Sequence, residues 1–163
     1  MQVAICQELT ATVTALTARI DRLTGQLRQR VAQLAPHLLS LPGCGVLTAA
    51  KLLAETAGVA RFRSEACFAM HAGVAPIPVS SGRTDRHRLC RGGNRQLNAA
   101  IHRIAITQLR LPGPGQRYYR RRRGKGDSTG DAVRALKRRI ARAAYQQLKL
   151  AEQRLRTASL TAA

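Results

Sequence analysis

The sequence predicts a mainly α-helical protein in which a small, irregular β-hairpin interrupts a series of helices. Apolar residues recur at steps of three and four through residues 3–39, the pattern of a long coiled-coil-like helix. Further helices are predicted at 95–110, behind Asn94 as N-cap, and at 132–156, where basic residues flank one apolar face. The predicted organisation is a helical arm at 1–37, a domain at 38–157 and a frayed tail at 158–163.

The charge of the chain indicates a polyanionic partner. Its 163 residues include 28 Lys and Arg against 8 Asp and Glu, a formal net charge of +20. All but four of the basic residues lie at or after Lys51. Such a one-sided field favours nucleic acid, which we take to be double-stranded DNA. With no apolar run of transmembrane length and no signal peptide at the start, we expect no membrane partner.

Cysteine and acidic residues argue against several kinds of site. The four cysteines are far apart and form no CxxC pair, which argues against zinc and against a disulfide framework, and suits a reducing cytoplasm. The eight acidic residues are scattered singly along the chain. Because two-metal catalysis needs several carboxylates converging on the ions, we expect this chain to hold no metal and no other cofactor.

The N-terminal helix carries a seam that it cannot bury by itself. Ten apolar residues from Ile5 to Leu38 follow the three-and-four spacing, and Pro36 closes the pattern. The helix therefore pairs with a second copy, which would make the protein a homo-oligomer, or with another part of a larger protein, or it lies along its own domain. The spacing alone leaves these alternatives open.

A Pro-Gly-Cys-Gly turn at 42–45 precedes an Ala- and Leu-rich helix and looks like a helix-hairpin-helix. Gly43 and Gly45 allow a tight turn, and the N–H groups that open the next helix can bind a backbone phosphate without reading base sequence. The same letters could instead cap a helix in a helical hairpin. The overall charge favours phosphate binding.

The central stretch combines serines with arginines. Residues 74–79 and 86–91 are predicted to form the arms of a hairpin, with Ser80, Ser81 and Gly82 at its tip. Guanidinium groups stabilise charge on a phosphoryl centre, and a serine among them is placed to attack one. Ser-Ser-Gly is also ordinary turn chemistry, so the residues alone favour a turn over a nucleophile.

Arginine-rich segments follow the hairpin. Four arginines stand behind Tyr118 and Tyr119, whose rings stack on bases, pack inward or, as a further alternative, supply a nucleophile. Ser128 and Asp131 resemble a capping box ahead of the last helix. The residues predicted to contact phosphate are Gly43, Gly45, Arg83, Arg86, Arg88, Arg91, Asn94, Arg95, Arg120, Arg121, Arg122, Arg123, Lys125, Lys137 and Arg138.

The order of these motifs resembles the C-terminal transposase domain of the IS110 insertion-sequence family, also called IS116 or IS902. The resemblance covers about residues 38–145. It rests on LLSLPGCGVLTAAKLLAE at 38–55, RFRSEACFAMHAGVAP at 61–76, SSGRTDRHRLCRGGNRQLNAAI at 80–101, YYRRRRGKG at 118–126 and AVRALKRRI at 132–140. Two positions depart from the family pattern: Gly92 stands where a second basic residue is usual, and Asn98 where an arginine is usual.

The resemblance implies a DNA recombinase that moves an insertion element and is guided by a structured bridge RNA. It implies that Ser81, with Ser80 as the fallback, attacks a DNA phosphodiester and becomes covalently linked to the cleaved strand. It also implies a RuvC-like N-terminal domain whose four carboxylates hold Mg²⁺. We expect this chain to lack that domain, as the C-terminal part of a split or decayed transposase or as a chain whose Met1 is assigned too late.

Two functions follow from the sequence. The first is the DNA-binding, serine-bearing part of a transposase, inactive until a carboxylate-bearing domain is supplied. The second is a non-catalytic remnant that binds nucleic acid with little sequence preference. For either function we expect a protein of the bacterial cytoplasm that is associated with the nucleoid.

Overall fold

The computed structural model describes residues 1–79, 87–88, 90 and 92–161. In this part of the chain the predicted mainly α-helical class is confirmed. The helices are α1 (Gln2–Leu34), α2 (Val46–Thr56), α3 (Glu65–His71), α4 (Arg95–Arg110), α5 (Pro114–Gly124) and α6 (Thr129–Thr161). Short 3-10 helices lie at Pro36–Leu38 and Val59–Arg61, and two strands, β1 (Ile77–Pro78) and β2 (His87–Arg88), complete the described elements.

Helix α1 is a free arm over most of its length. It ends ahead of Pro36, whose ring nitrogen cannot donate to the helix, and only Val31 and Ala35 at this end join the core. Residues 1–30 are exposed apart from the half-buried Thr24. The interpretation of α1 as a helix lying along its own domain is therefore wrong for these residues, and their apolar seam is uncovered.

The core of the domain lies where α4 packs between α2 and α6. Helix α4 turns Leu97, Ile101 and Ile104 inward at steps of three and four, and all three are fully buried. Leu52 of α2 and Leu136 of α6 meet this face from either side. Phe68 of α3 is fully buried against α6, where its ring lies 5.6 Å from that of Tyr145.

The hairpin starts and ends where the backbone at Gly73 crosses the backbone at Gly93 in close contact. Gly73 has a φ of +63°, and a Cβ added at Gly93 would overlap the backbone N and Cα of Gly73 and lie 2.9 Å from the carbonyl oxygen of His71. The backbone N–H of Asn94 donates to that same oxygen over 2.6 Å. The chain therefore enters and leaves the hairpin at one point, and position 93 has no room for a side chain.

Strands β1 and β2 form an antiparallel pair above this crossing. Ile77 lies opposite Arg88, and Pro78 lies opposite His87. Both strands fall within the arms predicted from the sequence. Residues 80–86, which include Ser80, Ser81, Arg83 and Arg86, lie outside the described residues, as do Leu89 and Arg91.

Helix α6 runs from its predicted cap to the end of the described chain. Ser128 accepts a hydrogen bond from the Asp131 N–H over 3.1 Å, as the capping pattern predicts. The sequence predicts a frayed tail at 158–163, whereas residues 158–161 continue the helix. Ser159 and Thr161 donate their hydroxyls to carbonyls four residues back, which keeps these side chains compatible with a helix. Residues 162–163 lie outside the described part.

Replacing Gly93 by Ala will destabilise the fold by about 1–3 kcal/mol, because the added methyl overlaps the backbone of Gly73. Urea unfolding measures this change. Gly92→Ala is the matched control, since a Cβ there meets nothing within 4 Å. Equal stability of the two variants would show that the crossing does not exclude a side chain.

Candidate nucleic-acid interface

The acidic side chains of the described domain form ion pairs and hydrogen bonds with other residues of the same chain. Each of five carboxylates pairs with a cation or accepts hydrogen bonds that hold a turn or helix end in place. The pairs are Glu55 with Asn94, Glu65 with Arg138 and Arg142, Asp127 with Arg122, Asp131 with Ser128 and Arg134, and Glu152 with Arg156 and the N–H groups of Val59 and Ala60. Most arginines of the domain therefore have no carboxylate partner among the described residues. Several of them line two concave sites.

The first site, which we call the turn groove, has a volume of about 780 Å³ and lies between the Pro-Gly-Cys-Gly turn and α4. It is lined by residues 39–45 with Thr48, His102, Arg103, Ile106, Thr107 and Arg110. Gly43 has a φ of +79°, and a Cβ there would come within 3.1 Å of the Ile104 carbonyl oxygen. Gln108 donates its amide to the Pro42 carbonyl over 2.7 Å and ties the turn to α4.

The turn groove suits a backbone phosphate. The first turn of α2, which begins after Gly45, carries no acidic side chain, so its unpaired N–H groups face no competing carboxylate. Arg103 and Arg110 are exposed on the facing helix, seven residues apart and therefore on one face. The sequence analysis missed these two arginines, although their seven-residue spacing is a signal that could have found them.

The predicted helix-hairpin-helix is present only in its second half. Helix α2 and the turn lie where the sequence predicts them. The element before the turn is the three-residue 3-10 helix Pro36–Leu38, because the long helix α1 has already ended at Leu34. Gly43 and Gly45 thus belong to a tight turn that precedes α2 without the first α-helix of the motif.

The second site, which we call the basic cavity, encloses about 280 Å³ beneath the paired strands. Its walls are residues 73–76, Arg88, Tyr118, Arg122, Asp131, Arg134, Ala135, Lys137 and Arg138. Four predicted phosphate ligands, Arg88, Arg122, Lys137 and Arg138, therefore meet here from three different elements. Sequence reasoning missed Arg134, because helical spacing does not show which neighbouring element a side chain will face.

Lys137 is the buried cation of the basic cavity. Only 7% of the residue is exposed, although the sequence places it on a basic flank of α6. Its Nζ donates to the Asn98 Oδ1 over 2.6 Å. Burial, and then the nearby Arg134 guanidinium, lower the pKa of Lys137, while burial and the Lys137 charge lower the pKa of His102.

The other predicted phosphate ligands are dispersed. Asn94 caps α4 by accepting from the N–H groups of Gln96 and Leu97, and its amide donates to Glu55, so its side chain is already engaged. Arg95 is exposed at the start of α4. Arg120, Arg121, Arg123 and Lys125 are exposed on or just after α5. Ser80, Ser81, Arg83, Arg86 and Arg91 lie outside the described residues.

Tyr118 packs inward, one of the alternatives that the sequence leaves open. Its ring contacts the core and lies beneath two guanidinium groups, at 5.4 Å from Arg121 and 5.1 Å from Arg139. The contact with Arg139 links α5 to α6, whereas the contact with Arg121 lies within α5.

The described ranges contain neither a metal-ligand cluster nor a membrane-spanning helix. No three or more His, Cys, Asp or Glu side chains there come close enough together to hold a metal ion. None of the described helices is both long enough and apolar enough to cross a bilayer.

Comparison with known proteins finds insertion-element relatives. The family model described as "Transposase IS116/IS110/IS902 family" matches residues 35–120. The uncharacterized 43.6 kDa protein of insertion element IS110 from Streptomyces coelicolor is 36% identical over 118 residues, which are 71% of this chain and 29% of the relative. The 44.8 kDa protein of IS116 from Streptomyces clavuligerus is 32% identical over 128 residues, 77% of this chain and 32% of the relative.

A third relative is the uncharacterized 42 kDa protein of insertion element IS900 from Mycobacterium paratuberculosis. It is 34% identical over 155 residues, which are 88% of this chain and 39% of the relative. The chain thus spans between 29% and 39% of the length of these curated relatives.

Removing both arginines of the turn groove, as Arg103→Gln with Arg110→Gln, will weaken binding to a DNA duplex about tenfold at moderate salt. It will lower the slope of log K against log salt by about two, because two phosphate contacts are lost. Fluorescence anisotropy across a salt series measures both quantities. Arg19→Gln with Arg22→Gln on α1 removes the same charge as a control, and an equal loss in that variant would contradict a role for the groove.

Proposed function

The chain belongs to the IS116/IS110/IS902 transposase family, and from that premise we propose that it is the DNA-binding part of an insertion-sequence transposase with Ser81 as the nucleophile. The observation that supports this most is the basic cavity beneath the paired strands. The eight residues that join β1 to β2 include both serines. The strand that follows them contributes Arg88 to the cavity.

The proposed reaction is a transesterification. The Oγ of Ser81 attacks the phosphorus of a DNA phosphodiester, forms a serine–phosphate ester and gives up its proton. The bond from phosphorus to one deoxyribose oxygen breaks, and that oxygen takes up a proton as it leaves. Guanidinium groups near the reacting phosphate stabilise the charge that develops on its oxygens. The phosphodiester energy is retained in the ester, so a second strand can be joined by the reverse step.

The Mg²⁺ of the family is assigned by resemblance to a carboxylate-bearing domain, and the described residues of this chain do not fit it. Hard divalent cations need several convergent oxygen ligands. The five described domain carboxylates are separately engaged by arginines, a capping serine, the side-chain amide of Asn94 and backbone N–H groups. We therefore derive no step through a metal from this chain.

Duplex DNA is the partner that the charge supports best. A guide RNA, which the resemblance also implies, presents the same phosphates at a different groove geometry. Competition of bound DNA by a structured RNA from the same element would test that second partner. A non-catalytic DNA-binding protein remains the alternative function, and it is favoured by the same surplus of arginines without any role for Ser81.

Helix α1 supports self-association. Its uncovered seam places Val13, Ile20 and Leu27 at heptad position a, and Leu9, Leu16 and Leu23 at heptad position d. These six side chains are between 36% and 62% exposed. β-Branched residues at position a with Leu at position d favour parallel, two-stranded coiled coils. We propose that α1 pairs in this way with a second copy.

Ser81→Ala will abolish a covalent protein–DNA adduct, whereas Ser80→Ala will retain it. The assay supplies the carboxylate-bearing domain of such a transposase, Mg²⁺ and element-end DNA, and detects the adduct after denaturing electrophoresis. Alkali should release the DNA, since an ester at serine is eliminated by base while one at tyrosine is stable. An adduct that survives Ser81→Ala would refute the assignment, and one that also resists alkali would point to Tyr118 or Tyr119.

A parallel α1 dimer will cross-link through Cys6 under mild oxidation. Cys6 is exposed and lies seven residues before Val13, so in register it faces its own copy across the seam. The measurement uses Cys67→Ser with Cys90→Ser to leave Cys6 and the buried Cys44, whose pKa burial raises to about 11. Cys6→Ser is the control. A dimer by sedimentation that never cross-links would contradict the parallel arrangement.

A further inference from the structure

Lys137 is buried and forms an ion pair with none of the carboxylates that the structure describes. Its ammonium donates to the neutral Asn98 side chain, and none of the ion pairs in the described part of the chain includes it. A buried charge is costly unless it is paired and hydrogen-bonded, and one amide oxygen provides only part of that compensation. The lowered pKa of Lys137 has the same origin, burial together with the neighbouring Arg134.

The position of this ammonium is fixed by the root of the hairpin. The Asn98 amide donates both of its hydrogens, to the carbonyl oxygens of Ala72 and Gly73, each over 2.9 Å. Its oxygen is therefore held toward Lys137 and cannot turn away. The cation consequently lies at a defined place in the basic cavity, next to the glycine from which the first hairpin arm departs.

Three of the remaining cations of the basic cavity pair with carboxylates, one of which, Asp131, itself lines the cavity. Arg122, Arg134 and Arg138 pair with Asp127, Asp131 and Glu65 respectively. Arg88 enters from β2 and, in the part of the chain that the structure describes, belongs to no ion pair. Among these described side chains, five cations meet three carboxylates, an excess of two positive charges, and Glu65 is shared with Arg142 outside the cavity.

We propose that the basic cavity is a binding site for a single phosphate group of a DNA strand, with the Lys137 ammonium as its buried countercharge. The assignment rests on the proposed DNA-binding function and specifies where one strand is held. The volume of about 280 Å³ lies at the lower end for a ligand pocket. Val74, Ala75 and Pro76 make part of the wall apolar, which strengthens the attraction between the cations and an anion.

Phosphate fits this site better than a carboxylate does. A phosphate group offers more acceptor oxygens than a carboxylate and can accept from an ammonium and several guanidinium forks at once. A phosphodiester carries one negative charge and a terminal phosphate nearly two, which matches the local excess. An acidic peptide is the competing ligand, and it is an outcome of the test.

The first experiment compares thermal unfolding of the full 163-residue chain in inorganic phosphate and in chloride at equal ionic strength. Lys137→Met removes the buried charge at similar volume, and Lys149→Met makes the same change at an exposed site on the same helix. Phosphate should stabilise the wild type and Lys149→Met, while Lys137→Met raises the phosphate Kd about tenfold. Equal phosphate responses in the two variants would overturn the proposal.

A second variant distinguishes phosphate binding from a purely structural role of Lys137. Ala135→Leu adds an apolar side chain to the cavity wall and leaves every charge in place. It should also lose the phosphate response. Lys137→Met could fail to fold, or both lysine variants could be less stable for other reasons. In either case, Ala135→Leu decides: if phosphate stabilises this variant as much as the wild type, the proposal is overturned. Displacement of phosphate by an equal concentration of a polyglutamate peptide would also overturn it.

DNA binding by the same variants separates this proposal from the proposed function. Lys137→Met should still bind DNA and lower the salt slope by about one. DNA binding with an unchanged slope and no phosphate response would refute the cavity site and leave the proposed function standing. A phosphate response that depends on Lys137, in a chain that does not bind DNA, would refute the proposed function instead.

Discussion

The crossing of Gly73 and Gly93 is the constraint on which the rest of the domain depends. It brings together two points of the chain that are 20 residues apart, and a hydrogen bond from Asn94 to His71 closes it. From this point α4 departs on one side and the hairpin on the other. Asn98, one turn into α4, then links the same crossing to Lys137 of α6. Helix packing, hairpin position and a buried cation therefore share one backbone contact.

The scarcity of acidic residues leaves most of the positive charge of this chain, +20 in net terms, without a neutralising carboxylate. The described carboxylates of the domain each stabilise a particular pair, cap or turn. Because none is left over at the turn groove, the exposed arginines there face solvent with no local competitor. The arm α1 is different, since its apolar seam is uncovered and none of its charged residues lines either site.

Local patterns predicted α1, α2, α4 and α6 but not α5, and they predicted the sites only in part. Pro36, Asn94 and the Ser128–Asp131 pair mark helix ends that the structure has at those positions. No local pattern could reveal that the amide of Gln108 would reach the carbonyl of Pro42, 66 residues away, and so bring Arg103 beside the turn. Likewise, a lysine among arginines is predicted from sequence to be exposed to solvent. Lys137 is buried because of tertiary packing, which no local pattern shows. The serines cannot be compared, since residues 80–86 lie outside the described part.

If duplex DNA occupies the turn groove and the basic cavity, it covers the arginines that line these two sites and leaves those of the arm exposed. Arginine footprinting tests this most directly: the chain is modified with phenylglyoxal, with and without duplex DNA, and the modified sites are located by mass spectrometry. We expect protection of Arg88, Arg103 and Arg110, and unchanged modification of Arg19, Arg22 and Arg28. Protection spread evenly over all of these, or confined to α1, would contradict it.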